Sequence, residues 1–309
     1  MHRHLISIRD LDDGDLDYLV RRGAWFAEER DPAYRPLTGR VVGGYFRRTS
    51  TRTRTAFASA ALRLGAGYLP YGPADLQLST GESIEDTAQV FARMLDALVV
   101  RTADAPDEVR ALAAQPSMPV INAMTADEHP TQAIADLTTL LRRFGRIDGL
   151  RILYVGEGNN TAAALALGLA RFHDVQLCLA TPAGYGVAES VLDLARDQAT
   201  PRGTRITQCH DLGQTTAGAD VVYTTRWQTT GTSKPDPDWR RLFEPFQVNG
   251  RLMERHPDAL FMHDLPAHRG EDVTAAVLDG PSSIAFEQAE NKLHSAKALL
   301  EWCLLGRRH

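Results

Sequence analysis

The feature that most narrows the fold of this chain is an alternation. Short apolar runs of strand character recur at residues 37–44, 65–70, 97–102, 120–123, 151–155, 175–179, 219–223 and 260–262. Several of them lead through a polar or glycine-bearing turn into a stretch with apolar residues at helical spacing. Successive parallel strands need a crossover long enough to hold a helix, so the pattern predicts an α/β chain with parallel sheets. One helix starts after the aspartates of Asp10–Asp15, with Leu16, Leu19 and Val20 opening a stripe that runs to about Glu29. Ser83 caps a second near Ile84, whose Val90, Phe91, Met94 and Leu95 are expected to face inward. A third starts near Pro130 with Ile134, Leu137, Leu140 and Leu141 at core spacing and ends at Phe144-Gly145. Gly149-Leu150 then opens a new unit, so a boundary is expected near residue 145. A chain of 309 residues suits two domains, each able to bury its own core.

Composition removes whole classes of function. A net charge of −5 and a pI near 6.1 argue against a nucleic-acid partner. Cys178, Cys209 and Cys303 are widely spaced, with no Cys-x-x-Cys, so neither a disulfide framework nor a metal site is expected. No apolar run approaches the roughly 20 residues of a membrane span, and Met1–Ser7 lacks the apolar core of a signal peptide. A cytoplasmic, reduced protein is the expectation, with no membrane partner.

The densest chemistry lies in Phe46–Thr55, where four arginines and five hydroxyl residues follow the apolar run Val41–Tyr45. Unpaired N–H groups and the dipole at a helix start both favour an anion, and an arginine there adds a bidentate contact to a phosphoryl group. The plainer alternative is a solvated basic face. No Walker motif is present, and Gly156-Glu157-Gly158 lacks the third glycine of a dinucleotide fingerprint, which leaves a plain strand-to-helix turn and no cofactor.

Ser50-Thr51-Arg52-Thr53-Arg54 resembles the carbamoyl-phosphate loop of the transcarbamylases, the ornithine and aspartate carbamoyltransferases. The same order and spacing continue through Gln77 and Glu82–Ala88, Asp127–Gln132, Gly156–Asn160, His263–Pro266 and Ala289–His294. The resemblance implies two doubly wound parallel-sheet domains joined by helices. The first is a carbamoyl-phosphate domain over 1–145, completed by a closing helix at about 287–309 that returns to it. The second is an acceptor domain over 146–286. It implies carbamoyl transfer from carbamoyl phosphate to an amine, in a homotrimer. Ser50, Thr51, Arg52 and Thr53 would hold the phosphate, and Arg101, His129 and Gln132 would polarise the carbonyl oxygen as donors. Leu265-Pro266 would offer carbonyl oxygens to the carbamoyl NH₂, and Gln77 would reach into a neighbouring subunit. Lys292 stands where ornithine carbamoyltransferases usually have arginine, and lacks its planar fork.

The acceptor side departs from both familiar branches. Thr225-Arg226-Trp227-Gln228 resembles the Thr-Arg-x-Gln of aspartate carbamoyltransferases, while the ornithine branch has Asp-x-Trp-x-Ser-Met-Gly there. The usual cysteine of His-Cys-Leu-Pro is Asp264, although 261–300 resembles the ornithine branch. Asn160, Thr225, Arg226, Gln228 and Asp264 are the acceptor candidates. Asp264 would meet an ammonium and Arg226 a carboxylate of a small amino acid other than ornithine, such as 2,3-diaminopropionate in a specialised route. Three alternatives stay open: a direct Arg226–Asp264 pair, ornithine itself as acceptor, and a binding subunit that has lost turnover.

Overall fold

The computed structural model describes residues 3–29, 31 and 33–307. Met1 and His2 of the N-terminal stretch, and Arg308 and His309 of the expected closing helix, lie outside the described residues. The chain divides into two units: unit 1 holds the residues up to Arg142 with those from Glu290 onward, and unit 2 holds Arg143–Ala289.

In unit 1, α1 (Asp13–Glu28) starts on the Asp12 cap, followed by β1 (Val41–Phe46), α2 (Arg52–Arg63), β2 (Gly67–Tyr71), α3 (Ile84–Met94), β3 (Ala97–Arg101), α4 (Asp107–Ala113), β4 (Val120–Met124) and α5 (Pro130–Phe144). The four strands are parallel in the order β2-β1-β3-β4. β1 tolerates close neighbours because Gly44 has no side chain: a Cβ there would stand 1.8 Å from the Tyr68 hydroxyl. Tyr45, Phe91, Leu95, Leu98, Val100, Leu112 and Val120 form one apolar core.

The inward face of α3 is narrower than its sequence suggests. Phe91 and Leu95 are buried, but Val90 and Met94 are exposed, as are Leu62 on α2 and Leu69 on β2. Val90 and Met94 form a second i,i+4 line about 100° round the helix from the first, and the core covers only one of the two.

In unit 2 the order is β5 (Arg151–Val155), α6 (Asn160–Leu169), β6 (Gln176–Ala180), α7 (Glu189–Ala199), β7 (Arg205–Cys209), β8 (Val221–Thr224), α8 (Trp239–Phe243), α9 (Gly250–Glu254), β9 (Leu260–His263), α10 (Ala275–Leu278) and α11 (Ala285–Leu305). Its parallel sheet runs β7-β6-β5-β8-β9. Leu153, Val155, Val222, Phe246, Phe261 and Val273 centre its core. From Glu290 onward, most of α11 belongs to unit 1, where Glu301, fully buried, accepts from Arg22 Nε at 2.6 Å and Trp302 Nε1 donates to Asp15 at 2.8 Å. No helix among the described residues is long and apolar enough to cross a membrane.

Candidate active site

Each sheet reverses direction once, between β1 and β3 in unit 1 and between β5 and β8 in unit 2. Ligands of open parallel sheets bind beyond the carboxyl ends of the strands at such a reversal. Ser50–Thr53 follow β1 and Arg101 ends β3, while Asn160 follows β5 and Thr225–Gln228 follow β8.

In unit 1, Thr51 is the N-cap of α2 but makes no side-chain bond to the helix, so it does not satisfy the N–H groups at that end. Two of the loop's arginines are neutralised locally: Arg47 pairs with Glu108, and Arg48 with Asp104 at 3.4 Å. Arg52 is the first residue of the helix, and with Arg54 it places two cations in the first turn. Arg101 is buried at the end of β3, where a register shift interrupts its pairing with β4, and its Nη1 donates to Thr53 Oγ1 at 3.3 Å.

Thr53, His129, Thr131, Gln132 and Lys292 line one small cleft with Phe57 and Leu299. The turn carrying His129 is fastened by Glu128, whose carboxylate accepts from Ser7 Oγ at 2.6 Å and from the Ile8 N–H at 2.7 Å. His129 is held far below the usual imidazole range, first by burial and then by the Arg101 and Lys292 cations. A neutral ring donates through one nitrogen only. Its Nδ1 lies 3.3 Å from Thr131 Oγ1; with that hydroxyl as donor, Nε2–H is the group offered to a ligand.

Gln132, expected as a second donor to the carbonyl oxygen, is partly committed within its own helix. Its Nε2 donates to Asp136 Oδ1 at 2.7 Å, and Oε1 is buried without a hydrogen bond. That bond sets the amide's orientation and uses one of its two N–H groups, so Oε1 and the second N–H are the atoms it can offer a ligand. Gln77 is exposed on a short turn with Thr80 Oγ1 donating to its Oε1 at 2.8 Å, and it does not line this cleft.

In unit 2, Asp264 sits beyond β9 between two threonines: Thr225 Oγ1 donates to Oδ1 and Thr161 Oγ1 to Oδ2, each at 2.9 Å. Thr161 was not among the expected residues, although it stands in the first turn of α6. Nor was Asn159, which caps α6 through the Thr161 and Ala162 N–H groups and donates from Nδ2 to Thr229 Oγ1 at 2.9 Å. Asn160 is the buried first residue of that helix. Arg226 bonds within its own loop, Nε to the Gln228 carbonyl at 2.5 Å and Nη2 to Thr230 Oγ1 at 3.3 Å, and Gln228 Nε2 donates to the Thr232 carbonyl at 2.8 Å.

The glycines of Gly156-Glu157-Gly158 have a packing reason. Gly156 has φ +114°, and a Cβ on Gly158 would stand 2.2 Å from the Val187 nitrogen. Leu265 also lies in the left-handed region, at φ 55°, a strain of order 1–2 kcal/mol for a non-glycine residue. Its N–H donates to His263 Nδ1 at 2.8 Å, and His263 Nε2 donates to the fully buried Asp272 at 2.8 Å, which holds the turn in place.

Acid should weaken unit 1. The His294 ring is lowered to about 4 by burial, assisted by Lys297 and Arg142 against the opposing pull of Glu290, and His129 is lowered too. Below the ordinary value near 6.5 the unfolded chain takes up protons that these rings refuse in the fold. Stability present above pH 6.5 is therefore lost on descending toward 4, at up to about 1.4 kcal/mol per pH unit for each ring. Chemical denaturation at stepped pH should show this slope, and His294→Gln should reduce it; the same slope in that variant would remove His294 from the account.

Comparison with known proteins covers nearly the whole chain. The family model described as aspartate/ornithine carbamoyltransferase, carbamoyl-P binding domain, matches residues 3–142, and its Asp/Orn binding domain counterpart matches 148–303. The chain is 40% identical over 308 residues to an ornithine carbamoyltransferase of Caldicellulosiruptor saccharolyticus, covering 99% of both. It is 42% identical over 274 residues to one of Thermococcus kodakarensis, covering 88% of this chain and 86% of that one. The ornithine carbamoyltransferase structure from Pyrococcus furiosus superposes with a TM-score of 0.91 at 37% identity, over 97% of this chain and 96% of that one. With both of its halves matched, by relatives that span almost its full length, the chain belongs to the aspartate/ornithine carbamoyltransferase family.

Proposed function

We propose that this carbamoyltransferase moves the carbamoyl group of carbamoyl phosphate to the side-chain amine of ornithine, giving a ureido product and phosphate. The observation that carries this reading is the pair of bonds from Thr225 and Thr161 to Asp264. The ornithine branch has a carboxylate at the position of Thr225. Here the carboxylate has moved to residue 264, one hydrogen bond from the Thr225 hydroxyl, so a negative group still stands beside the end of β8 to meet an α-ammonium. The names of the relatives favour ornithine as well.

The chemistry divides between the units. In unit 1 the N-terminus of α2 with Arg52 takes the phosphoryl group, and Thr53, Arg101 and neutral His129 donate to the carbonyl oxygen as it gains charge. Gln132 Oε1 accepts from the carbamoyl NH₂. Attack by the unprotonated amine forms the C–N bond, the C–O bond to phosphate breaks, and the amine's proton leaves with the phosphate.

One observation keeps a second acceptor in play: Thr225 and Asp264 exchange the polar and acidic positions, and Arg226 with Gln228 replaces the ornithine-branch residues between them. A screen of ornithine, 2,3-diaminopropionate and aspartate for carbamoyl transfer, read by product mass, decides between them. Ornithine is expected to turn over most efficiently, a strong preference for either other amine would transfer the assignment to it, and no transfer to any amine would favour a binding subunit. A homotrimer, the assembly that the resemblance of Gln77 implies, is proposed as well, and is expected as a solution mass of three 34.0 kDa chains.

A further inference from the structure

The loop from Thr225 to Asp238 has no regular secondary structure and carries both Thr225 and Arg226. Some of its polar contacts are internal, such as the Thr232 N–H to the Thr229 carbonyl at 3.1 Å. Lys234 is different. Its ammonium pairs with Glu157 and lies 4.6 Å from the centre of the Tyr185 ring, 4.9 Å from that of Phe243 and 5.1 Å from that of Trp239. The side chain is 3% exposed. Three rings and a carboxylate make a receptor for an alkylammonium, and the chain fills it with its own lysine.

The anchor leads to the acceptor residues. Glu157 Oε2 accepts from the Thr229 N–H at 3.0 Å and from Thr229 Oγ1 at 2.7 Å. Asn159 reaches the same threonine and caps α6, the helix whose Thr161 holds Asp264. Tyr185 fixes the other side, its carbonyl accepting from the Gly158 N–H at 2.7 Å. Trp227 packs on Phe243, so the aromatic cluster grips the loop near both of its ends.

We propose that Lys234 is a positioning residue for the acceptor: seated in the Tyr185–Trp239–Phe243 cage against Glu157, it latches the 225–238 loop so that Thr225, Thr229 and Asn159 keep Asp264 in register for the amine. The proposal rests on the reading that unit 2 binds the acceptor.

The test compares Lys234→Met, which keeps an apolar stem in the cage without the charge, with Lys234→Arg and with Glu157→Gln, all in the full chain. Lys234→Met should raise the acceptor KM at least tenfold and leave the carbamoyl phosphate KM within twofold, and Lys234→Arg should restore most of the loss. An unchanged acceptor KM, or equal rises in both KM values, would overturn the latch. Should Lys234→Met fail to fold, Glu157→Gln, which keeps the volume of the side chain, carries the same comparison. A second readout needs no turnover, so it separates failure of the latch from failure of the acceptor assignment. Arg226 is the one tryptic site in the loop, because Lys234 precedes Pro235. Cleavage after Arg226 should be at least tenfold faster in Lys234→Met, and equal cleavage would overturn the latch whatever amine is used.

Discussion

Replacing Arg101 by methionine is expected to lower kcat by roughly 10²–10³, the usual loss when one preorganised donor to a developing oxyanion is removed. The variant should fold, because methionine fills much of the same buried volume at the end of β3 without leaving a charge. Arg52→Ala should behave differently. Arg52 stands in the first turn of α2, and with the proposed role of holding the phosphoryl group its loss should weaken carbamoyl phosphate binding by about 2–3 kcal/mol. Steady-state kinetics with calorimetric titration of carbamoyl phosphate separates the two. If Arg101→Met retained kcat and lost only affinity, the division of labour between the cations would be wrong.

The second large effect is expected at Asp264. Removing one partner of a desolvated charge pair costs about 2–5 kcal/mol, so Asp264→Asn should weaken acceptor binding by roughly 30-fold to several thousand-fold. Carbamoyl phosphate affinity should stay within twofold, since Asp264 belongs to unit 2 and the anion residues to unit 1. The amide also places an NH₂ where Thr225 and Thr161 now donate, so part of the loss comes from a mismatched hydrogen-bond set. The double variant Thr225→Asp with Asp264→Cys returns the carboxylate to the position it has in the ornithine branch, and should recover much of the acceptor affinity. Acceptor kinetics unchanged in Asp264→Asn would show that this carboxylate does not meet the amine.

Much of this could be read from the chain because the informative contacts are local. Strand alternation, the Ser83 cap and the Arg-rich helix start all act within a few residues, and each stands where the pattern put it. β7 escaped because it lies at a sheet edge, where only Ile206 of its five residues is buried and no apolar run marks it. Asn159 and Asn160 are neighbours of one type, and only the direction of the α6 start tells which caps the helix and which begins it. The orientation of Gln132 depends on Asp136 one turn later, a partner invisible until the helix exists. The cage around Lys234 draws its rings from residues 185, 239 and 243, a convergence that spacing along the chain does not reveal.

Gly158 has a consequence for how such a pocket can change. With a Cβ there only 2.2 Å from the Val187 nitrogen, two stretches of main chain cross with no clearance, so the turn beneath Asn159 cannot drift as its neighbours mutate. The frame is rigid where the chemistry is variable. A new acceptor must therefore be accommodated by exchanging side chains on a fixed backbone, such as a carboxylate moved from one strand end to the next, rather than by reshaping the loop that holds them.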